Sequence, residues 1–173
     1  KRVAMLRDHP SKLFDALVAA AKLTSGAIAL VQTMRANDSQ CYLISGGFDF
    51  MTGPVAALCG FHGHHANRMH VRDGKILGTV ELPVLDRKAK AIYLSQYCKT
   101  HGLDASEAAS IGDGANDLEM LQAAGMGVAF RGKPFLRDTI TIQLNHTDLR
   151  GLLYLQGYQR GDFICGSEKH LNK

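Results

Sequence analysis

The sequence lacks any apolar run that approaches the length of a membrane span, and its first residues do not have a signal-peptide layout. Lys and Arg are scattered rather than gathered in blocks, and the net charge of +4 is mild, which is not the pattern of a nucleic-acid-binding surface. The four cysteines form no CxxC pair, which favours free thiols in a reducing compartment over a disulfide framework. We therefore expect a cytoplasmic protein that binds neither membranes nor nucleic acids.

The pattern along the 173 residues is an alternation of helices and strands, which predicts a mostly parallel sheet covered by helices on both faces. Asp73-Gly74, inside the alternating segment from Met69 to Val80, adds a β-hairpin. In the helix predicted after Arg87, we place Ile92, Leu94 and Tyr97 on the inner side. Helices are predicted near residues 13–18, 27–34, 50–58, 87–100, 118–124 and 148–155, and strands near 41–44, 108–111, 128–130 and 139–144.

The densest cluster of chemically useful residues is Ser-Ile-Gly-Asp-Gly-Ala-Asn-Asp-Leu-Glu-Met-Leu, residues 110–121. A short apolar strand delivers Asp113 and Asp117 across a Gly-Ala-Asn turn, at the position where open α/β sheets bind their ligands. Oxygen donors without sulfur suit a hard cation, with Mg²⁺ first. Asp, Asn and Gly are also ordinary turn residues, but their density here favours a site over a plain corner.

Three further positions complement this segment, residues 110–121, which we call the acidic corner. Ser45-Gly46-Gly47 ends the other strong strand, where a hydroxyl and bare N–H groups form an anion cradle, although this triplet is also a generic turn. Lys90, in the first turn of its helix, can neutralise a phosphate as a point charge, although a helix lysine is more often solvated. Arg2 can fork onto a carboxylate or phosphate, although a terminal arginine is usually just exposed.

Taken in order, Ile-Ser-Gly-Gly-Phe, a lysine and Ile-Gly-Asp-Gly-Ala-Asn-Asp-Leu resemble the haloacid-dehalogenase-type phosphatases, most closely the bacterial phosphoserine phosphatases. The resemblance runs from about Arg2 to about Tyr158. It implies a haloacid-dehalogenase-like, Rossmann-like fold and the Mg²⁺-dependent hydrolysis of phosphoserine, the last step of serine synthesis. Arg2 also opens an Arg-Val-x-x-Leu segment typical of these enzymes.

The resemblance also implies a role for each matching residue. Ser45 and the Gly46 amide would hold the phosphoryl oxygens, and Lys90 would bind the phosphate and offset the charge of the nucleophile. Asp113 would ligate Mg²⁺, and Asn116 would position the phosphate and its attacking water.

Two more residues match the family pattern. Asp117 would steady Lys90 and the metal ligands. Arg2 matches an arginine of the helical cap that recognises the substrate carboxylate. The expected organisation is the end of the cap at residues 1–22, the catalytic core at 23–160 and an unpatterned tail at 161–173.

The departure from the family is the nucleophile, the first Asp of an Asp-x-Asp-x-Thr motif, which these residues do not contain. Asp49 is the nearest candidate and has no second acid. We expect the motif, its strand and most of the cap to lie upstream of Lys1, in a longer polypeptide. Because that strand lies between the strands ending at Ser45 and Asp113 in the family, we expect residues 1–173 alone to fold badly and to be inactive.

Two other functions remain open at this point. A catalytically inactive member of the superfamily would bind a phosphorylated ligand or a partner. A P-type ATPase fragment shares the Gly-Asp-Gly-x-Asn-Asp signature, but the absence of membrane spans and the Ser-Gly-Gly strand ending disfavour it. His62, His64 and His65 are predicted to lie in a loop rather than to bind a metal. A homodimer is the default oligomer.

Overall fold

The structure is a computed structural model, and it describes residues 2–164. The chain divides into two compact units, Lys1–Val84 with Asp162–Lys173, and Leu85–Gly161. Helices alternate with parallel strands in the described residues, which confirms the predicted α/β class. Among these residues, none of the helices combines the length and apolarity that crossing a membrane requires.

The first unit is built on a parallel strand pair and an antiparallel hairpin. Strand β1 (Tyr42–Phe48) pairs in parallel with β2 (Gly63–Asn67), and β3 (Met69–Arg72) pairs with β4 (Lys75–Val80). Its helices are α1 (Leu13–Ala20), α2 (Ala27–Ala36) and α3 (Asp49–Cys59), preceded by a short 3-10 helix at Val3–Leu6. The predicted helices and hairpin of this region are therefore confirmed.

The hairpin turn follows from its two residues. Asp73 and Gly74 both have positive φ, 49° and 72°, as a two-residue turn of the mirror-image type requires. The core of this unit lies between α2 and α3, where Ile28, Val31 and Cys59 are buried. Apolar side chains spaced three or four residues apart on each helix create that contact.

Strand β2 contradicts the predicted loop around the histidines. His64 and His65 lie inside the strand, opposite Leu43 and Ile44 of β1. The His64 Nδ1 and the Thr52 hydroxyl of α3 share a hydrogen bond of 3.0 Å, so the polar ring is satisfied against the helix. A strand paired through its backbone tolerates such side chains, so the loop prediction was wrong for His64 and His65, whereas His62 lies in a bend just before the strand.

The second unit carries a three-stranded parallel sheet in the order β5-β6-β7. Gly112 lies opposite Ala129, and Phe130 lies opposite Leu144, so the carboxyl ends of the strands share one edge. The strands are β5 (Ala109–Gly112), β6 (Met126–Phe130) and β7 (Ile142–Leu144). The helices are α4 (Arg87–His101), α5 (Leu118–Ala123), α6 (Pro134–Thr139) and α7 (Gly151–Leu155).

The inner face of helix α4 agrees only in part with the predicted one, and the predicted Tyr97 is half-buried. Ile92 is 54% exposed, so its predicted inner position was wrong, whereas Leu94 packs on the core of this unit. The inner face carries the buried Lys90 and Cys98 and the half-buried Leu94, which are four residues apart and therefore lie on one face. Because one of these inward-facing residues is a lysine, the spacing of apolar residues alone does not identify this face of the helix.

The segment predicted as a strand from Thr139 to Leu144 is divided between two elements. Helix α6 ends at Thr139, and only Ile142–Leu144 forms a strand. Pro134 favours a helix start at this point because its fixed φ suits the first turn. Leu136 and Ile140 then pack into the core against Ala129, which stabilises helix rather than strand. The final predicted helix is also shorter, and begins at Gly151 rather than at residue 148.

The beginning of the predicted tail has structure. Arg160–Asp162 form a 3-10 turn, and the Ile164 N–H donates a 2.9 Å hydrogen bond to the hydroxyl of Thr33 on α2. The rest of the tail, 165–173, lies outside the described residues. The predicted boundary between a cap end at 1–22 and a core at 23–160 stays a prediction.

Replacing Thr33 with Val should release the segment around Ile164, because valine keeps the shape of the fully buried side chain but cannot accept the hydrogen bond. We expect faster amide exchange at Ile164 and a loss of about 1 kcal/mol in the free energy of unfolding. Thr139→Val is the control, since that hydroxyl donates only to the Phe135 carbonyl of its own helix. Unchanged exchange at Ile164 would show that the contact does not hold the segment.

Candidate active site

The acidic corner of the second unit is organised around Asp117. One carboxylate oxygen of this buried residue accepts hydrogen bonds from the N–H groups of Asp113 and Gly114, both at 3.0 Å. Its other oxygen lies 2.5 Å from Nζ of Lys90. Asp117 therefore fixes the turn that follows β5 and ties it to α4.

Lys90 and Asp117 form a buried ion pair, with only 6% and 3% of each residue exposed. Removing two charges from water is costly unless they are close together and further hydrogen-bonded. Here the charges are in direct contact, and the carboxylate of Asp117 also accepts two backbone hydrogen bonds. A lysine ammonium carries three N–H donors, and Asp117 takes one of them. Among the described residues of this unit, no second acceptor for the ammonium is present, so its other donors suit an anionic ligand.

In contrast to the buried pair, Asp113 has an exposed side chain. Its backbone is held on both sides, because its N–H donates to Asp117 and its carbonyl accepts a 3.1 Å bond from the Lys133 N–H. Within the described part of residues 85–161, its carboxylate has no hydrogen-bond or ion-pair partner. A fixed backbone with an uncommitted, exposed carboxylate is suited to binding a cation, and the exposed Asn116 follows in the same turn.

Gly112 is required by a close contact. A Cβ at this position would lie 2.5 Å from both Cβ and Cγ of the buried Asp117, which is too short for van der Waals contact. A Cβ at Gly114 would lie 2.5 Å from Oδ1 of Asn116, but that atom ends an exposed side chain that can move. Gly112 thus leaves the volume that Asp117 occupies.

The Ser-Gly-Gly loop lies in the first unit, at the end of β1. Strand β1 continues through the triplet to Phe48, beyond the predicted end, with an irregular register between Ile44 and Phe48. The Ser45 Oγ accepts a 3.0 Å hydrogen bond from the Gly47 N–H. Gly46 is exposed. The joint action of this loop with the acidic corner stays a prediction.

Arg2 and Asp49 also belong to the first unit. Arg2 is exposed at the start of the first 3-10 helix, and its predicted role in binding a carboxylate stays a prediction. Asp49 is engaged: its Oδ2 accepts a 2.7 Å bond from Nε of Arg68, and this pairing raises the pKa of the arginine. Asp49 also lacks the second acid of the Asp-x-Asp-x-Thr motif, because Met51 stands two residues further on, so it does not match the missing motif.

The cysteines of the first unit are not reactive nucleophiles. Burial raises the pKa of Cys59 to about 11, and burial also raises that of Cys41 to about 11 despite the opposing charge of Arg35. Both thiols are therefore protonated at neutral pH, and the thiolate is the nucleophilic form. Among the described cysteines, Cys41, Cys59 and Cys98 are free, as predicted.

The donors of the corner fit Mg²⁺. No group of three or more His, Cys, Asp or Glu side chains that could enclose a metal is present in residues 2–164. Mg²⁺ does not need such a group, because it keeps several waters and is bound through one or two carboxylates and substrate phosphates. Asp113 offers one exposed carboxylate, and its predicted role as a Mg²⁺ ligand, with the other ligands from water, a phosphate or other residues, stays a prediction.

Comparison with known proteins agrees with this geometry. A model of the haloacid dehalogenase-like hydrolases matches residues 1–122. The chain belongs to this family. The match includes Ser45, Lys90 and the complete acidic corner.

Two characterised relatives are phosphoserine phosphatases. That of Mycobacterium tuberculosis is 35% identical over 162 residues, which are 94% of this chain and 40% of that protein. That of Methanocaldococcus jannaschii is 33% identical over 153 residues, covering 88% of this chain and 72% of that protein. The chain thus spans well under half of the first relative and nearly three quarters of the second.

A solved structure has the same fold. It is described as a phospho-aspartyl intermediate analogue of phosphoserine phosphatase, and it matches with a TM-score of 0.84 at 32% identity. The match covers 89% of this chain and 74% of that one. The parallel strands and helices described above are thus those of the haloacid dehalogenase-like fold.

Reading the sequence did not identify Asn67. Its side chain donates hydrogen bonds to the carbonyls of Gly46 and Gly47, at 2.9 and 3.3 Å. The sequence gives little signal for this role, because Asn67 ends a strand that was predicted to be a loop. Had β2 been predicted beside β1, a polar residue at its carboxyl end would have indicated a contact with the backbone of Ser45-Gly46-Gly47.

Gly112→Ala should displace Asp117, because the new methyl group would overlap its Cβ and Cγ. Breaking the buried pair in this way should lower the free energy of unfolding by about 1–3 kcal/mol, the usual cost of overpacking. Thermal and denaturant unfolding measure the effect. Gly161→Ala is the control, since a Cβ there meets nothing within 4 Å. Equal stability of the two variants would contradict the tight packing of the corner.

Proposed function

We propose that the protein carrying this chain is a Mg²⁺-dependent phosphatase that hydrolyses phosphoserine to serine and phosphate. The observation that carries the proposal is the corner in which a buried Lys90–Asp117 pair fixes the turn while Asp113 stays exposed. The characterised relatives, named as phosphoserine phosphatases, support the choice of substrate.

The proposed roles follow the chemistry of each group. Asp113 and the amide of Asn116 would contact Mg²⁺ and the phosphate, and the bound ion would supply charge neutralisation on the transferring group. Lys90 would direct its remaining N–H donors to a phosphoryl oxygen, while Asp117 holds its ammonium group in place. The Ser45 hydroxyl and the Gly46 N–H would donate to the other phosphoryl oxygens. Arg2 would recognise the substrate carboxylate.

The nucleophile is proposed to come from a part of the polypeptide beyond these 173 residues. An aspartate oxygen would form a bond to phosphorus while the bond to the seryl oxygen breaks, and an acid would protonate the departing oxygen. Water would then attack the phosphorus of the aspartyl phosphate, releasing phosphate and restoring the carboxylate. The chain has no Asp-x-Asp-x-Thr motif, and its Asp49 is paired with Arg68.

The same two observations favour a second candidate. A family member without a nucleophile would retain the Ser-Gly-Gly loop and the acidic corner and would bind phosphorylated ligands without turnover. The distinction lies in whether phosphate is released from phosphoserine by the complete protein.

The proposal extends to the cellular location, metabolic role and oligomeric state of the protein. The free thiols support a cytoplasmic location, and the product supports a role in serine synthesis. A homodimer is proposed only as the commonest assembly of soluble enzymes.

Asp113→Asn, made in the full-length protein, tests the function. The amide keeps the shape of the side chain but removes the charge that binds the cation, so phosphate release at saturating Mg²⁺ should fall at least about a hundredfold. Thermal stability should be nearly unchanged, because the side chain is exposed. Asp138→Asn, at an exposed position of α6, is the control and should keep full activity.

Three outcomes separate the alternatives. Loss of Mg²⁺-dependent release in Asp113→Asn alone supports the phosphatase. Binding of phosphoserine by the unmodified protein without release supports the inactive ligand-binding member. Near-normal activity of Asp113→Asn at saturating Mg²⁺ would show that this carboxylate does not bind the ion.

A further inference from the structure

Asn67 is a buried polar residue that the proposed reaction does not use. It is 7% exposed and lies at the carboxyl end of β2, opposite Phe48 of the neighbouring parallel strand. Its Nδ2 donates to the carbonyls of Gly46 and Gly47 at 2.9 and 3.3 Å. Both acceptors belong to the Ser-Gly-Gly loop.

These two bonds fix the direction of a peptide group. In a trans peptide, the C=O and the N–H point in opposite directions. Because the Gly46 carbonyl points to Asn67, the Gly47 N–H of the same peptide points away, and it donates to the Ser45 Oγ at 3.0 Å. The peptide between Gly46 and Gly47 is thus held at both ends.

The fixed peptide determines where the proton of the Ser45 hydroxyl can point. A hydroxyl has one donor and two acceptor lone pairs, and the Gly47 N–H occupies one of the lone pairs. The proton of the hydroxyl must therefore point elsewhere. The Gly46 carbonyl points to Asn67 and therefore away from the Ser45 hydroxyl, so the peptide between Gly46 and Gly47 does not take that proton, which suits it to donate to a bound anion.

We propose that Asn67 is a positioning residue that orients the Ser-Gly-Gly loop so that the Ser45 hydroxyl donates to a bound phosphoryl oxygen. The inference rests on the proposed function for the identity of the anion. The orientation of the loop itself depends only on the three hydrogen bonds described.

Asn67→Asp tests the inference in the full-length protein, because the variant has nearly the same shape but places a carboxylate oxygen against two carbonyl oxygens. Asn67→Ala removes the donors without adding a charge, and provides the test if the aspartate variant does not fold. The matched control is Asn37→Ala, which removes an amide donor to the Thr33 carbonyl at 2.9 Å elsewhere in the same unit.

The first readout is amide hydrogen exchange at Gly47, which requires no catalysis. It should accelerate in the Asn67 variants and stay unchanged in Asn37→Ala. The second readout is binding of inorganic phosphate as a competitive inhibitor. Its Ki and the KM for phosphoserine should rise about tenfold, the equivalent of one or two lost hydrogen bonds, with a smaller change in kcat.

The readouts separate this inference from the proposed function. If the unmodified protein does not hydrolyse phosphoserine, the function fails, and Gly47 exchange together with direct calorimetric binding of inorganic phosphate decides the inference. Unchanged Gly47 exchange in Asn67→Ala overturns the inference. So does a loss of phosphate affinity that Asn37→Ala reproduces, because the effect would then be one of general stability.

Discussion

The structure of the acidic corner depends on one interaction, the buried ion pair between Lys90 and Asp117. Neither charge would be tolerated alone in its surroundings, because an unpaired buried charge costs several kcal/mol. The pair is stabilised further by two backbone N–H groups that donate to the same carboxylate. Those bonds set the path of the chain after β5, and Gly112 has to be a glycine because Asp117 occupies the space beside it.

The same division of roles appears in each unit. In the second unit, buried Asp117 holds the backbone and exposed Asp113 remains available to a ligand. In the first unit, buried Asn67 holds the loop and the hydroxyl of Ser45 remains available. Asp117 and Asn67 are buried and hold the backbone through hydrogen bonds, whereas Asp113 is exposed and the half-buried Ser45 hydroxyl, which accepts from Gly47, keeps its proton for another partner. This arrangement would place groups proposed to bind a ligand on a fixed backbone, which would lower the cost of ordering them on binding.

The sequence was sufficient where function and local structure use the same residues. Gly-Asp-Gly-x-Asn-Asp predicts the turn after β5, on which the proposed site is built, and Asp73-Gly74 determines the hairpin by its backbone preferences. It was insufficient where pairing with a distant segment decides the outcome. Strand β2 contains two histidines and depends on β1, so its side chains gave no strand signal. Leu94 was correctly placed on the inner face of α4, but Lys90 was not, because its burial depends on pairing with Asp117, which is 27 residues away.

A double-mutant cycle on Lys90→Met and Asp117→Asn tests the central claim most directly. The coupling free energy is obtained from denaturant unfolding of the two single variants and the double variant. The exposed pair of Arg87 and Glu119, which also joins α4 to α5, provides the reference cycle with Arg87→Met and Glu119→Gln. We predict a coupling of about 3 kcal/mol for the buried pair and below about 1 kcal/mol for the exposed pair. Equal couplings would show that the buried pair does not organise the corner.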